Sequence, residues 1–544
     1  MQVKSTMQNS RLSIPSILRH GALLYANSQV ISYDAGGIST KTFGQVALRA
    51  AQLANALVSL GIGRDDRVAT FCFNHNAHLE AYLGIPSMGA ILHTLNVRLF
   101  SEQLEFIINE ADDQVIIADA VVMPALAKVL TRCGRVRAVL VVGDFDASTL
   151  GNVTYQLYSY EDLIMDFDTE FDWVEPDSED DAAGMCYTSG TTGNPKGVVY
   201  SHRSTWLHSI AASSAATLGL ESADRALVVV PMFHANAWGI PYAAWMVGAD
   251  MIMPGRFLQA APLAEMISTL SPTIASGVPV IWNDLIHYAE SHAVDFSSIR
   301  LLCAGGSAVP RSLIEAFRDR HQILLGQGWG MTETSPVCTL SFPPPGTPPE
   351  REVEYLMTAG RPVAGVRIRI VDADGNVASN DGKSLGEIQV SGPWITGSYY
   401  KIERPESFDD GWLRTGDIGT IDEEGFLRIS DRTKDVIKSG GEWISSVELE
   451  NALMAHPSVY EAAVIAVPDE KWDERPLACV VLKPGSTLSA EELSSFLLDK
   501  VARWWLPERW SFVEEVPKTS VGKFDKKALR GSYAQNELEV IEIR

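Results

Sequence analysis

Between two short apolar runs, the chain reads Tyr187-Thr188-Ser189-Gly190-Thr191-Thr192-Gly193-Asn194-Pro195-Lys196-Gly197. The flanking residues 184–186 and 198–200 have the length and composition of strands. Glycines let several backbone N–H groups converge on one anion, the hydroxyl groups donate hydrogen bonds, and Lys196 adds a mobile positive charge. The stretch therefore predicts a phosphate-binding loop rather than a surface turn. It is not a Walker loop, because Lys196 follows a proline and no helix is predicted to begin there.

The chain around this loop alternates buried strands with amphipathic helices. Strands are predicted at 225–230, 250–253, 273–276, 300–304 and 322–325. Helices are predicted at 237–247, 259–270, 279–290 and 310–320, and earlier at 42–60 and 76–89. Strand, helix and strand at this spacing indicate βαβ units around a largely parallel sheet.

From about Ala359 the pattern changes to short strands, predicted at 367–371, 387–391 and 426–430 and separated by Asp-Gly turns. A polar junction follows, and the remainder is a small α+β unit in which Ser445-Ser446-Val447-Glu448 resembles a capping box. The sequence thus predicts an α/β protein. A large N-terminal domain of βαβ units, 1–430, includes an antiparallel subdomain, and a small mobile α+β C-terminal domain covers 431–544.

The composition is that of a globular protein and limits its partners. The 544 residues are 46% hydrophobic and 21% charged, which excludes an intrinsically disordered chain. The net charge of −24 argues against nucleic acid or an anionic membrane as a partner, because both are polyanions. No apolar run reaches the ~20 residues of a membrane span, and no signal peptide is predicted. We expect a cytoplasmic protein without integral membrane association.

Cysteine and histidine spacing favours structural roles. The six cysteines are scattered and include no C-x-x-C pair, which predicts small buried thiols in a reducing compartment. His75 and His78 stand apart from any further metal-ligand pattern, so we expect both to be structural.

Four further stretches follow the loop in order: Gly328-Trp329-Gly330-Met331-Thr332-Glu333, Trp412-Leu413-Arg414-Thr415-Gly416-Asp417, 431–442 and 517–523. Together the five stretches resemble the motifs of the adenylate-forming, AMP-binding superfamily, which includes acyl-CoA synthetases, peptide-synthetase adenylation domains and beetle luciferases. Trp329 stands where tyrosine is commoner. Five motifs in register over more than three hundred residues make the resemblance specific.

The resemblance implies that the chain joins a carboxylic acid to ATP, a reaction in which two anions meet and negative charge must be stabilised. Glu333 is the implied Mg²⁺ ligand, and Mg²⁺ favours oxygen ligands. Thr188 and Thr332 are the implied α-phosphate contacts. The outgoing pyrophosphate is held by Ser189, Gly190, Thr191, Thr192, Gly193 and Lys196.

Other motif residues have implied roles in nucleotide binding. Gly305, Gly306 and Ser307 follow a predicted strand and line the adenine site, at the edge where parallel sheets bind ligands. Asp417 accepts both ribose hydroxyls, and Arg432 is a second ribose or phosphate contact. The remaining nucleotide-binding residues of the second motif are Gly328, Trp329 and Gly330.

Lys523 is the implied catalytic lysine, bridging the attacking carboxylate and the α-phosphate. Nothing local distinguishes it from a solvated lysine, and we expect its neighbours Lys526 and Lys527 to be solvated.

The acid is indicated by His234, which stands where amino-acid-activating relatives usually have an aspartate that pairs with the substrate ammonium. Histidine neutralises an ammonium poorly, so we expect an acid without an α-amino group. His234 then orients the carboxylate or closes the pocket; the alternative is a packed residue at a helix start. The stretch 231–239 and Trp329 look most like bacterial medium- and long-chain fatty-acid–CoA ligases, including the methylmercaptopropionate type.

The second substrate implied is coenzyme A, whose thiol attacks the acyl adenylate. Family resemblance makes Asp431 a hinge about which the C-terminal domain swings, bringing up a cofactor-binding segment with Lys438, Gly440, Gly441 and Trp443. An amine, a carrier-protein thiol or oxygen stays open as the acceptor, and a homodimer is among the assemblies that the sequence allows. A non-catalytic scaffold is disfavoured because Lys523, Glu333 and Asp417 are all present, and a dehydrogenase because no strand-borne G-x-G-x-x-G occurs.

Overall fold

The computed structural model describes residues 3–34, 37–150, 153–188, 194–432, 434–439, 442–519 and 523–543, with Glu442 and Trp443 described by their backbone alone. The described chain divides into two compact units. One comprises Met1–Ala275, Met331–Val337 and Pro393–Arg404, and the other Ser276–Gly330, Cys338–Gly392 and Pro405–Arg544.

The strands are, in chain order, β1 (Gln29–Asp34), β2 (Gly37–Thr42), β3 (Arg67–Phe71), β4 (Ile91–Thr94), β5 (Asp113–Asp119), β6 (Ala138–Val142), β7 (Gln156–Ser159), β8 (Ala182–Tyr187), β9 (Gly197–Ser201), β10 (Arg225–Val228), β11 (Asp250–Met253), β12 (Ile274–Gly277), β13 (Leu301–Gly305), β14 (Leu324–Gly330), β15 (Val337–Leu340), β16 (Arg361–Pro362), β17 (Arg367–Val371), β18 (Gly386–Ser391), β19 (Phe408–Asp409), β20 (Trp412–Ile421), β21 (Leu427–Arg432), β22 (Ile437–Ser439), β23 (Glu442–Ile444), β24 (Val459–Asp469), β25 (Asp473–Leu482), β26 (Arg509–Phe512) and β27 (Ile541–Glu542).

The α-helices are α1 (Ile14–Leu24), α2 (Phe43–Ser59), α3 (Asn76–Ser87), α4 (Ser101–Ala111), α5 (Met123–Leu130), α6 (Tyr160–Met165), α7 (His202–Ser213), α8 (Ile240–Val247), α9 (Ala260–Leu270), α10 (Pro279–Ala289), α11 (Arg311–His321), α12 (Pro349–Leu356), α13 (Ser446–Met454), α14 (Ala490–Leu497) and α15 (Lys526–Ala534). Among the described residues, no helix has both the length and the apolar composition needed to cross a bilayer.

The first unit contains a seven-stranded sheet of order β7-β6-β5-β3-β4-β8-β9. Its strands run parallel except β9, which pairs antiparallel with β8. Because Tyr187 at the end of β8 pairs with Gly197 at the start of β9, the phosphate-loop stretch joins the two strands as predicted. The loop therefore begins at the carboxyl end of a parallel strand, where sheets of this kind bind ligands.

A second set of strands in this unit has the order β10-β11-β1-β2, parallel except for the β1–β2 hairpin. Helices α1, α2 and α8 pack beside it around the buried indole of Trp245. That ring stacks on Phe43 with the ring centroids 4.2 Å apart, and its N–H donates to the carbonyl of Leu18. The apolar stripes of three helices thus meet on one side chain.

The second unit holds β13 and β14 as a parallel pair, and an antiparallel sheet of order β17-β18-β20-β19 in which β21 also pairs with β20. Its last sheet has the order β23-β22-β25-β26-β27, with β24 on β25. Ser445 is the N-cap of helix α13, and its hydroxyl accepts the N–H of Glu448. The α/β class, the antiparallel subdomain and the smaller α+β C-terminal part are confirmed.

Asp431 lies inside strand β21, paired with Ile418. The domain boundary at this residue, 1–430 and 431–544, stays a prediction.

The predicted helix 237–247 is wrong at its start. Residues Ala235 to Trp238 have φ angles of 42°, 53°, 49° and 57°, and Gly239 has 76°, so this turn is left-handed and α8 begins only at Ile240. A left-handed turn of non-glycine residues is strained, because each Cβ crowds the following carbonyl oxygen. Surrounding contacts must hold it.

All six cysteines are free and buried. His78 bonds to Thr70 and to the carbonyl of Phe73, and His75 bonds to Asp119 at 2.6 Å. The structural role expected of both histidines stays a prediction.

Burial lowers the pKa of two histidines in the first unit, which predicts that the unit loses stability in acid. His202 Nδ1 accepts the N–H of Ile14 at the start of α1, and burial lowers the pKa of His202 to about 4. In the unfolded chain, the pKa of histidine is near 6.5. As pH falls from about 6.5 towards 4, the unfolded chain therefore binds more protons than the folded chain. The stabilisation is complete above pH 6.5 and is lost as pH falls towards 4.

We therefore expect the thermal unfolding midpoint to fall as pH is lowered from 7 to 4.5, and to fall less in His202→Asn, because the amide oxygen can accept the same N–H without titrating. Calorimetry across this range measures it. An identical pH profile in the variant would show that His202 does not contribute. His208, whose pKa burial also lowers to about 4, leaves a residual slope in both proteins.

Candidate active site

Two hydrogen bonds close the neck of the predicted phosphate loop, where its two ends meet. The Thr188 N–H donates to the Lys196 carbonyl at 2.9 Å, and the Lys196 N–H donates to the Thr188 hydroxyl at 3.1 Å. These bonds extend the β8–β9 ladder by one step and fix both predicted site residues. The loop residues between them, Ser189, Gly190, Thr191, Thr192 and Gly193, lie outside the described residues.

Tyr399 joins the two predicted groups of opposite charge. The Lys196 ammonium lies over its ring, 4.1 Å from the centroid, and its hydroxyl donates to Glu333 Oε1 at 2.8 Å. A cation over an aromatic face and a charge-assisted hydrogen bond are both favourable, more so when shielded from water. Tyr399 is 8% exposed, so one buried ring positions a cation and an anion together.

Thr332 and Glu333 lie in a single turn of 3₁₀-helix, Thr332–Thr334. The Tyr200 hydroxyl donates to the Thr332 carbonyl, and the Thr396 N–H donates to the Glu333 carbonyl, each at 2.8 Å. Their exposures are 7% and 8%. The backbone of both residues is thus held from two sides, and their side chains are nearly shielded from water.

The chemistry of Glu333 fits a magnesium ion. A carboxylate has about four lone-pair sites, and the Tyr399 hydroxyl uses one of them. Mg²⁺ in phosphate sites is usually bound by one or two carboxylates together with substrate oxygens. Glu333 therefore retains the oxygen acceptors that such an ion requires.

His234 is half-buried and precedes the left-handed turn rather than an α-helix. The chain before it is fixed by Asn74, which donates to the carbonyls of Val228 and Val230 and accepts the Met232 N–H. Such a support allows a strained turn to persist.

In the second unit, both oxygens of Asp417 are engaged. The Trp329 indole donates to Oδ2 at 2.8 Å, and Arg432 Nε lies 3.2 Å from Oδ1. Each oxygen keeps a lone pair for a further donor, and Asp417 is 4% exposed. The tryptophan that replaces the commoner tyrosine thus orients the predicted ribose ligand through its N–H.

Gly305 ends β13, and Gly306 follows with φ +87°. A Cβ at Gly306 would lie 3.3 Å from Lys523 Cε, so glycine lets the lysine side chain lie against the backbone there. Ser307 follows, and Gly305 pairs with Gly328 of β14. The structure thus brings Lys523 beside the predicted adenine loop, near the ends of two parallel strands.

The expectation of a solvated Lys526 is wrong. Its ammonium lies 2.7 Å from Glu450 Oε1 and donates to the Ser446 hydroxyl, and its side chain is 11% exposed. Lys527, by contrast, is exposed as expected. Sequence gives no sign of this difference, because the pairing partner lies more than seventy residues away.

Four predicted cofactor-binding residues, Lys438, Gly440, Gly441 and Trp443, follow one another closely in the chain. Lys438 lies in β22 with an exposed side chain, and Trp443 pairs with it through the backbone of β23. Gly440 and Gly441 lie outside the described residues.

Tyr399, Tyr200 and Asn74 were not found from the sequence. Each bonds to a predicted site residue, or to the chain just before one, across a large sequence separation, and each resembles an ordinary core or turn residue. Their roles become visible only through the hydrogen bonds they make.

The first unit thus combines a largely parallel sheet, a loop at the carboxyl end of one strand, a half-buried lysine and a buried carboxylate, an arrangement that suits an anionic ligand with a metal ion. The family models agree: residues 19–400 match the AMP-binding enzyme family, and residues 448–523 match the AMP-binding enzyme C-terminal domain. The chain belongs to the AMP-binding enzyme family, which confirms the resemblance.

Among curated relatives, the chain is 45% identical to a long-chain-fatty-acid–CoA ligase of Thermus thermophilus over 97% of each chain. It is 41% identical to a medium-chain-fatty-acid–CoA ligase of Ectopseudomonas oleovorans over 97% of each chain, and equally to a 3-methylmercaptopropionyl-CoA ligase of Ruegeria lacuscaerulensis over 97% of this chain and 98% of that one. A crystal structure of an anthranilate CoA ligase with anthranoyl-AMP superposes with a TM-score of 0.88 at 26% identity, covering 98% of this chain and 100% of that one.

Tyr399 generates a test of the magnesium assignment. Tyr399→Phe keeps the ring beneath Lys196 but removes the hydroxyl that orients Glu333. We expect its affinity for ATP with Mg²⁺ to fall about 10-fold or more, since partners of a metal ligand typically contribute that much. Affinity for AMP without metal should stay unchanged. Calorimetric titration measures both.

Tyr400→Phe is the matched control, because the neighbouring ring contacts Lys401 instead. Equal metal-dependent affinities in the two variants would contradict the assignment of Glu333.

Proposed function

We propose that the protein is an AMP-forming acyl-CoA ligase. A carboxylate oxygen of the acid attacks the α-phosphorus of ATP, and the bond to the β-phosphate oxygen breaks to release pyrophosphate. The coenzyme A thiolate then attacks the acyl carbon, and AMP leaves. The observation that carries the proposal is the connection of half-buried Lys196 to buried Glu333 through Tyr399, next to the proposed phosphate loop.

In the first unit, we assign the phosphates and the metal. Lys196 and the hydroxyl-rich loop neutralise the outgoing pyrophosphate, and the hydroxyls of Thr188 and Thr332 bond to the α-phosphate. Glu333 holds Mg²⁺, which lowers the charge repulsion between carboxylate and phosphate. The fixed loop neck supports these roles, because preorganised donors need no rearrangement during the reaction.

In the second unit, we assign the nucleoside and the catalytic lysine. Asp417 accepts the ribose hydroxyls on the lone pairs that Trp329 and Arg432 leave. The Gly305–Gly306–Ser307 loop lies against the adenine, where glycine gives close backbone approach. Lys523 stabilises the charge that develops between carboxylate and α-phosphate.

For the acid, we propose an aliphatic chain without an α-amino group. The relatives are named for medium-chain and long-chain fatty acids and for 3-methylmercaptopropionyl-CoA, and His234 offers no anion for a substrate ammonium. A pyrophosphate-release screen from acetate to palmitate, with aromatic acids and amino acids included, tests this. Activity confined to amino acids would overturn it.

For the acceptor, we propose coenzyme A; amines, carrier-protein thiols and oxygen are the alternatives. We place the reaction in the cytoplasm, where ATP and coenzyme A are both available. Mass spectrometry of the acyl products formed with and without coenzyme A distinguishes the acceptors. An acyl adenylate that coenzyme A fails to discharge would reject the second half-reaction.

Lys523→Ala tests the catalytic assignment. We expect acyl-adenylate formation to slow about 10²–10³-fold, as for loss of one charge-stabilising group at a transition state. Supplied acyl adenylate and coenzyme A should still give thioester at a near-normal rate.

Lys527→Ala is the control for this variant, since Lys527 is exposed and close in sequence. If Lys523→Ala matches this control, or if both half-reactions fall together, Lys523 does not have the proposed role.

A further inference from the structure

A buried group of charges connects the predicted hinge to the segment that bears Lys523. The Lys526 ammonium contacts Glu450 Oε1 at 2.7 Å and donates to the Ser446 hydroxyl at 2.6 Å. That hydroxyl donates in turn to Asp431 Oδ2 at 2.5 Å. The chain of contacts thus runs from Lys526 to Asp431 through one serine.

Asp431 is held on both oxygens. The Ser446 N–H donates to Oδ2, and the Arg432 N–H donates to Oδ1, each at 2.7 Å. Asp431 is 2% exposed and Glu450 is 6% exposed, and Glu450 Oε1 also accepts the Val464 N–H. Two carboxylates are therefore buried around a single ammonium.

Such burial has a high cost unless the charges compensate one another. Burial raises the pKa of Asp431 and of Glu450, and the Lys526 ammonium opposes the rise in both. Burial alone would lower the pKa of Lys526, but Glu450 and Asp431 together raise it. The three groups therefore depend on one another to remain ionised.

The position of Lys526 in the chain gives this arrangement a consequence for Lys523. Lys526 is the first residue of α15, three residues after Lys523. Between them, the Asp525 N–H donates to the Pro517 carbonyl, and the Lys523 carbonyl accepts the Thr519 N–H, both at 2.7 Å. Because this connection is short and held by its own hydrogen bonds, the position of Lys526 determines the position of Lys523.

We propose that Lys526 is a positioning residue that anchors the Lys523 segment to Asp431 and Glu450, and so sets where the Lys523 ammonium lies. The inference rests on the proposed function and deepens it. Lys526 touches no substrate; it acts through Lys523. Exposed ion pairs contribute little to geometry or stability. The pair of Lys526 and Glu450 differs, because both side chains are almost fully buried.

The test is a double-mutant cycle with Lys526→Met, which keeps the length of the side chain and removes the charge. We expect adenylate formation to slow about 10²-fold, as for a small misplacement of a catalytic group. kcat should fall and the KM for ATP should stay near its wild-type value, because the interaction lost belongs to the transition state. Lys526→Arg should restore most of the rate.

In a Lys523→Ala background, Lys526→Met should cause no further loss of adenylation, since the anchored group is already absent. Thioester formation from supplied acyl adenylate should remain near wild type in every variant. Lys527→Met is the matched control from the same helix turn. A full additional loss in the Lys523→Ala background, or an equal loss in both half-reactions, would show a merely structural role and overturn the proposal.

Hydrogen exchange supplies a readout that needs no activity. We expect backbone amides of residues 523–530 to exchange faster in Lys526→Met than in Lys526→Arg, Lys527→Met or the wild type. Unchanged exchange would overturn the anchoring. If the wild type activates no acid, the proposed function fails, and exchange still decides whether Lys526 anchors the segment.

Discussion

A chain with a net charge of −24 repels a polyphosphate at long range, so binding one requires cations and N–H donors concentrated at the site. The ring and hydroxyl of Tyr399 meet this requirement in the first unit, since they position the ammonium of Lys196 and the carboxylate of Glu333 together. The hydrogen bond at the neck of the loop and the hydrogen bond from Tyr200 to the 3₁₀ turn fix the backbone next to these groups.

The sequence predicted structure best where the local residue pattern determines it. Strand β11 and strand β17 have the predicted bounds, because a buried strand bordered by turn residues has few alternatives. The five motifs identified the family and gave the candidate residues, because short loops that bind phosphate constrain residue type at every position. Tertiary contacts shift such elements at their ends but seldom replace them.

What the sequence could not predict depends on distant partners. The left-handed turn before α8 contains no residue that requires it, and Asn74 fixes the chain just before it. Tyr399 lies more than sixty residues from Glu333 and about two hundred from Lys196 in the chain. Hydrophobic alternation and motif spacing describe residues that are neighbours along the chain, so neither predicts such distant pairs.

Lys526 shows why residue type alone does not separate a solvated lysine from a buried one. Lys526 and Lys527 are adjacent and identical, yet the first residue of α15 faces two buried carboxylates and the second faces water. A buried ion pair seldom stabilises more than an apolar pair of equal size. The ion pair instead permits a single geometry, because moving the ammonium leaves two buried carboxylates without a compensating charge. That constraint, rather than added stability, accounts for a charged group between Asp431 and the segment that bears Lys523.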